Sequence, residues 1–144
     1  MNSSQQEIWD FLKPENLTEL SRQDILIGYQ MEIAERLAPN MYFIDRESDT
    51  MCGLMDYGEN LFCLRMEGRN HRCTLGLVRK MRRWLASASR DYGKPIYVMT
   101  AKQFYEKGKA KKLLALTGFT YHSEYLGHIV SRYTGHREEK WQQD

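Results

Sequence analysis

The sequence predicts a single α/β domain of the α+β kind, with a mixed and mostly antiparallel β-sheet. At 144 residues the chain has the common size of one domain and is long enough to bury its own core. Apolar residues recur with the period of a helix in some segments and with a period of two in others. The clearest junction between the two patterns is Gly118, which separates a Lys-rich helical pattern at 109–116 from strand patterns at 119–133.

The first 66 residues predict two helices followed by three antiparallel strands. An apolar cluster at 8–12 indicates the first helix, which Pro14 interrupts. Ser21 and Asp24 resemble a capping box for the second helix, whose apolar positions recur every four residues as far as Leu37. Alternation with a period of two then predicts strands at 41–44, 51–57 and 61–66, with turns at 47–49 and 58–60.

The next segments predict a helix, a buried strand and a further helix. After a loop at 67–71, an apolar stripe with arginines on its other side predicts a helix from Leu77 to near Tyr92. The run 95–99 fits a buried strand, and 103–116 predicts one helix with a weak point at Gly108.

The remaining residues predict a hairpin and a polar tail. Gly118 ends the preceding helix, because a residue without a side chain closes the last turn in a left-handed conformation. The alternation from Phe119 onward puts Tyr121 and Tyr125 on one strand face, and His122 and Glu124 on the other. A turn at 126–127 and a strand at 129–133 follow, and 134–144 is predicted to be a loose tail.

Charge is strongly segregated along the chain, although the formal net charge is only +2. Residues 1–64 carry four basic and twelve acidic side chains, residues 65–112 carry fourteen and three, and residues 113–144 carry three and four. The basic segment 65–112 indicates a face that attracts phosphates, nucleic acid or an acidic protein surface. The charge pattern does not choose among them.

Composition argues against several other classes of protein. No apolar run approaches the roughly 20 residues that cross a bilayer, and residues 1–6 are polar where a secretory signal is basic and then apolar. We therefore expect no membrane-spanning segment and a cytoplasmic location. Three cysteines without close pairs indicate reduced thiols. The histidines at 71, 128 and 136 lack partners at metal-ligand spacing, so no metal is expected.

Taken together, this element order resembles the GNAT N-acetyltransferase family over nearly the whole chain. The resemblance rests on the Arg-rich stretch 69–92, the strand at 95–99 and the helix–Gly118–strand junction. It implies one GNAT-like domain at 1–133, with helices on both faces of the sheet, followed by the tail. Within that fold, the run 113–133 and the polar start resemble the GNAT-like internal virion or assembly proteins of short-tailed phages.

The resemblance also implies a cofactor segment. In the family, backbone N–H groups hold the pyrophosphate of acetyl-CoA where a strand gives way to a helix, usually within Arg or Gln, two residues, Gly, one residue, and Gly or Ala. The matching stretch is 72–77, where Leu75 and Leu77 fill the small-residue positions and should crowd a pyrophosphate. The residues implied to contact acetyl-CoA or CoA are Arg72, Cys73, Thr74, Leu75 and Gly76.

Catalytic positions implied by the family also differ here. Ala101 and Lys102 stand where an Asn near the cofactor is common, and Leu114 stands where a Tyr protonates the leaving thiolate. Tyr121 and Tyr125 are the candidates to replace that Tyr. These departures favour a scaffold that has lost acetyl transfer.

Other side chains have both a functional and an ordinary interpretation. Glu67, at the end of the third strand, is a candidate general base, against the ordinary interpretation of a solvated loop carboxylate. His122 and Glu124 form either an acid/base pair or a surface pair. Two basic helices, with Arg79 to Arg83 on one and Lys107 to Lys112 on the other, either flank a nucleic-acid groove or are solvated faces. The aromatic residues interleaved with them are Trp84, Tyr92, Tyr97 and Tyr105.

Two functional hypotheses follow, from different classes. The first is a non-catalytic, GNAT-like phage protein that contacts phage or host proteins or nucleic acid during virion assembly or genome delivery, in the host cytoplasm or the virion. The second is an acetyl-CoA-dependent N-acetyltransferase with a divergent pyrophosphate segment.

Overall fold

The computed structural model describes residues 3–18, 41–107 and 109–136. The chain divides into two compact units, the first formed by 1–57 and 63–74 and the second by 58–62 and 75–144. Within the described residues, a six-stranded sheet and four helices confirm the mixed, mostly antiparallel α/β class. The helix predicted at 21–37 and residues 137–144 of the predicted tail lie outside the described residues.

The first unit contains α1 (Ser3–Phe11), β1 (Tyr42–Asp45), β2 (Thr50–Asp56) and most of β3 (Leu61–Glu67). These strands match the predicted ones to within two residues at each end. β1 and β2 are antiparallel, with Tyr42 opposite Gly53. The apolar cluster predicted for the first helix is buried, and it packs with methionines of β2 and β3. The members of this core are Ile8, Phe11, Leu12, Leu17, Met51, Met55 and Met66.

A polar turn joins β1 to β2 and is tied to the segment after β3. The buried Asp45 carboxylate accepts hydrogen bonds from the Ser48 backbone N–H at 3.1 Å and from the Ser48 hydroxyl. Asp49 has a φ of 50°, a left-handed conformation that Asp tolerates better than most residues. Its carbonyl accepts a hydrogen bond from Gly68 N at 2.7 Å, and its Oδ2 accepts one from Asn70 N at 3.0 Å.

The second unit contains α2 (Leu75–Tyr92), β4 (Ile96–Ala101), α3 (Lys102–Glu106), α4 (Lys109–Thr117), β5 (Phe119–Tyr125) and β6 (His128–Tyr133). Leu61 and Phe62, which open β3, pair in parallel with Ile96 and Tyr97. Because parallel neighbours need a crossover, α2 connects them. β6 is antiparallel to both β4 and β5. The full strand order is β1-β2-β3-β4-β6-β5.

The helices of the second unit confirm one prediction and correct another. The apolar stripe predicted for 77–88 is buried along one side of α2. The single helix predicted at 103–116 is wrong, because α3 ends at Glu106 and α4 begins at Lys109. The sequence has a glycine at 108, and glycine costs about 1 kcal/mol relative to Ala inside a helix. No helix in the described ranges is long and apolar enough to cross a membrane.

The hairpin that follows is closed at both ends by backbone geometry. Gly118 has a φ of 101°, so the helix ends there as predicted. The two-residue turn uses Leu126 and Gly127, with φ of 48° and 78°, the signs of the type I′ turn that suits twisted hairpins. Beyond β6, the backbone N–H groups of Thr134 and Gly135 donate to the carbonyl of Gly118 at 2.9 and 3.0 Å.

A β-bulge in β5 corrects the predicted strand faces. The register shifts between Tyr121, which is opposite Ser131, and Ser123, which is opposite Val130. One extra residue therefore separates the two halves of the strand. Tyr121 and Tyr125, predicted to share a face, lie on opposite faces, and so do His122 and Glu124. The period of two cannot reveal a bulge, since the insertion is set by the partner strand.

Candidate functional site

The predicted cofactor segment is divided in sequence, with 72–74 assigned to the first unit and 75–76 to the second. Arg72 already uses donors within the first unit, because its N–H donates to the Ser48 carbonyl at 3.0 Å and its Nε to the Glu47 carbonyl at 3.3 Å. Leu75 is 46% exposed at the start of α2, whereas Leu77 is fully buried. Two donors of Arg72 are therefore engaged with backbone carbonyls, which counts against their use in binding a pyrophosphate.

Glu67 lies inside a polar network of the first unit. Arg65 Nη2 lies 2.5 Å from Glu67 Oε1, and His71 Nε2 lies 3.0 Å from Glu67 Oε2. The Glu67 side chain is only 15% exposed, so the interpretation as a solvated loop carboxylate does not describe it. A general base must accept a proton from the substrate, and here both carboxylate oxygens already contact other side chains. The catalytic role of Glu67 stays a prediction.

The two tyrosines that are candidates to replace the missing proton donor are exposed on β5. Tyr121 and Tyr125 are 57% and 60% exposed and lie on opposite faces of the strand. Leu114, the position at which the resemblance implies a Tyr, is half-buried on α4. The structure therefore does not bring these tyrosines together on one face.

An ion pair lies at Lys102, where the GNAT resemblance implies a cofactor-proximal Asn. Lys102 Nζ lies 3.2 Å from Glu124 Oε1, and Lys102 N donates to the Gly127 carbonyl at 3.0 Å. The hydrogen bond to Glu124 and the charge of that carboxylate raise the pKa of Lys102. Glu124 thus interacts with α3 rather than with His122, whose Nδ1 lies 3.0 Å from the Ser123 hydroxyl.

The two basic helices, for which the sequence left open either a shared groove or solvated faces, are neighbours. Arg82, half-buried on α2, donates from Nε to the Leu116 carbonyl of α4 at 2.8 Å. Val78, Leu113 and Leu116 form one buried cluster between these helices. The second unit carries fourteen basic and seven acidic residues, whereas the first carries seven and twelve. The segregation seen in sequence is therefore also a segregation between units, with net charges of −5 and +7.

An aromatic row on the sheet of the second unit was not predicted from the sequence, although Tyr97 and His122 were each named there for other reasons. Direct pairing aligns Phe62 of β3, Tyr97 of β4, Arg132 of β6 and Thr120 of β5. The rings of Phe62 and Tyr97 are 6.0 Å apart, and the His122 ring meets Tyr97 edge-on at 5.4 Å. Arg132 Cζ lies 5.9 Å from the Tyr97 ring centroid. No sequence spacing links these four strands, so only pairing could find the row.

No family model, curated protein or solved structure matches the chain. The GNAT resemblance therefore remains an inference from the residues alone. Among the described residues, no group of three or more His, Cys, Asp or Glu side chains is arranged to hold a metal ion.

A cavity of about 670 Å³ lies within the first unit. Its walls combine four carboxylates and two guanidinium groups with one aromatic ring and two amides. The lining residues are Glu7, Asp10, Phe11, Glu15, Asn16, Arg46, Asp49, Arg69 and Asn70. Several of these polar groups serve the protein itself, since Arg69 Nη1 donates to the Glu15 carbonyl and Asn16 Nδ2 to the Asp10 carbonyl. Among the described residues that line this cavity, none is a predicted site residue.

The three thiols differ sharply in access. Cys52 and Cys63 are buried, and burial raises the pKa of Cys63 to about 12 and that of Cys52 well above its usual range. Cys73 is exposed. Because the thiolate is the reactive form, the two buried thiols are inert in the folded protein.

Proposed function

We propose that this protein acts without catalysis, by binding nucleic acid through the helical surface of its second unit. The observation that carries the proposal is the hydrogen bond from Arg82 Nε to the Leu116 carbonyl, which fixes α2 against the end of α4. With Val78 and Leu113 packed beside it, the two Lys- and Arg-rich helices lie next to each other. Their charges therefore act on one surface.

That surface has the chemistry of a polyanion site. Its exposed cations are Arg79 and Arg83 of α2 and Lys111 and Lys112 of α4. Cations on adjacent helices repel one another, and phosphate groups relieve that repulsion while releasing their counterions. Nucleic acid supplies phosphates at a regular spacing, which an acidic protein surface does not.

Anisotropy of a short fluorescein-labelled DNA duplex, measured over a series of salt concentrations, tests the proposal. We expect log K to fall linearly with log salt, and Lys111→Gln/Lys112→Gln to lower that slope by about 2. Lys13→Gln, an exposed lysine of the first unit, is the matched control and should leave the slope unchanged. Absent binding at low salt, or a slope that the double variant does not change, would overturn the proposal.

The second candidate is an acetyl-CoA-dependent N-acetyltransferase. In its favour, α2 begins at Leu75, within the implied cofactor segment. Against it stand the two bonds of Arg72 to backbone carbonyls and the absence of a hydroxyl at Leu114. Thermal unfolding with CoA and acetyl-CoA distinguishes the two: stabilisation at micromolar cofactor that Arg72→Ala abolishes supports the enzyme, and none at millimolar cofactor rejects it.

We further propose that the chain forms one GNAT-like domain and that its contacts serve virion assembly or genome delivery of a phage. The support is the resemblance of 113–133 together with the described order of strands and helices. On this proposal the partners are phage or host proteins and nucleic acid, in the host cytoplasm or the virion. Co-purification of the protein with phage particles tests it, and exclusion from both particles and assembly intermediates would reject it.

A further inference from the structure

We propose that the aromatic row of the second unit, Phe62, Tyr97, His122 and Arg132, is a stacking site for the unpaired bases of single-stranded nucleic acid. The inference rests on the proposed nucleic-acid function and names the form of ligand that it takes. It also adds a second surface, because these residues lie on the sheet and not on the basic helices.

The sheet of the second unit has one buried face and one face that is accessible to solvent, called here the open face, and the pairing register assigns residues to each. Leu61 and Ile96 pair with each other and are buried, and Ile129 and Ser131 of β6 are buried on that same side. The alternate residues point the other way. Arg132 and His122 on that other side are exposed, Phe62, Tyr97 and Val130 are half-buried, and Met99 is 42% exposed.

The bulge in β5 is what completes the row. A regular strand would have turned His122 to the opposite side from Ser123, but the extra residue leaves both on the open face. The imidazole then reaches the Tyr97 ring at 5.4 Å. The aromatic rings of β3, β4 and β5 thus lie within three strand spacings of one another, a distance of about 14 Å across the sheet.

The charge of the open face matches a phosphate backbone. Its described pairing rows are Phe62, Tyr97, Arg132 and Thr120, then Met99, Val130 and Ser123, then Ala101, His128 and Tyr125. These rows contain a guanidinium, one imidazole and hydroxyls but no carboxylate, and the bulge residue His122 adds a second imidazole. Glu124, the acidic residue of β5, lies on the other face and pairs with Lys102.

Flat rings beside a cation suit unpaired bases better than a duplex. The bases of a duplex are stacked on each other, whereas those of a single strand are free to stack on aromatic side chains. Aromatic pairs on an exposed sheet stack about two or three bases in this way, largely without regard to sequence. The guanidinium of Arg132 is then placed to meet a phosphate or a further base.

Anisotropy of a fluorescein-labelled oligothymidylate of about 16 nucleotides, compared with a duplex of equal length, tests the inference. We expect Tyr97→Leu and Phe62→Leu each to weaken single-strand binding about tenfold while duplex binding stays unchanged. Arg132→Gln, at an exposed position, should lower the salt slope by about 1. Tyr57→Leu, an exposed tyrosine of the first unit, is the matched control. Circular dichroism and thermal unfolding check that each variant folds. If a ring variant fails to fold, Arg132→Gln still tests the inference.

The outcomes separate this inference from the proposed function. Salt-dependent binding that Lys111→Gln/Lys112→Gln weakens, but that Tyr97→Leu, Phe62→Leu and Arg132→Gln leave intact, overturns the stacking site alone. The reverse pattern overturns the helical surface and supports the stacking site. Equal loss of duplex and single-strand binding in the ring variants also overturns the stacking site. A change in oligomeric state, measured by light scattering, without a change in affinity overturns the stacking site as well and indicates a protein contact instead.

Discussion

Gly68 is a position where one added methyl group should be costly. A Cβ at residue 68 would overlap the carboxyl carbon and both oxygens of Asp49. Asp49 can escape only by turning its carboxylate away from Asn70 N, which it contacts at 3.0 Å. Overpacking of this kind costs about 1–3 kcal/mol, and the exposed hydrogen bond contributes about 1 kcal/mol. We therefore expect Gly68→Ala to lower the free energy of unfolding by about 2–4 kcal/mol.

A double-mutant cycle isolates the cause. Asp49→Gly removes the carboxylate, and its φ of 50° suits glycine, so this change alone should cost less than about 1 kcal/mol. In the Asp49→Gly background, Gly68→Ala should cost little, which gives a coupling free energy of at least about 1 kcal/mol. Urea denaturation followed by circular dichroism measures all four proteins. Additivity within about 0.5 kcal/mol would refute the reasoning, because the methyl group would then clash with something other than Asp49.

Three further predictions concern the turn between β5 and β6 and the three cysteine thiols. Leu126→Asn should raise the free energy of unfolding by about 0.5–1 kcal/mol, since Leu126 is 79% exposed with a φ of 48° that Asn adopts more easily. Iodoacetamide should label Cys73 in the folded protein and reach Cys52 and Cys63 only after unfolding, as read by mass spectrometry. The free energy of unfolding should fall as pH rises from 9 toward 12. Burial raises the pKa of Cys63 from 9.0 to about 12 in the folded protein, so between these pH values unfolding releases the thiol proton. The stability that this thiol contributes below pH 9 is therefore lost across that range.

Each of these has a result that would contradict it. Destabilisation by Leu126→Asn would mean that the leucine side chain makes a contact worth more than the backbone strain. Labelling of Cys52 at the same rate as Cys73 would show that the strands open readily. Cys63→Ala should flatten the alkaline fall in stability measured by urea titration at several pH values, and an unchanged slope would assign the fall to other groups.

Local patterns predicted most of the described elements, because each rests on neighbours along the chain. The apolar stripe of α2, the turn before β2 and the end of α4 at Gly118 follow from side-chain period and backbone freedom within a few residues. The division of 103–116 into α3 and α4 was anticipated only as a weak point, since propensity at one glycine does not say whether packing will override it.

The candidate sites were harder to predict, because they depend on partners distant in sequence. The proximity of Glu67 to His71 is local, but the engagement of Arg72 by the carbonyls of Glu47 and Ser48 depends on how the β1–β2 turn meets the segment after β3. A single-sequence comparison with a family motif cannot reveal that the donors are already in use.

By itself the sequence determined the class of fold, the basic character of 65–112 and the helix and strand that flank Gly118, because these depend on composition and on short periods. Tertiary structure alone decided that Phe62, Tyr97 and Arg132 share one row and that His122 joins them. Strand order and a bulge are set by hydrogen bonding between segments far apart in the chain. A shift of one residue in that register exchanges the two faces of a strand, so the same residues would otherwise lie on opposite sides of the sheet.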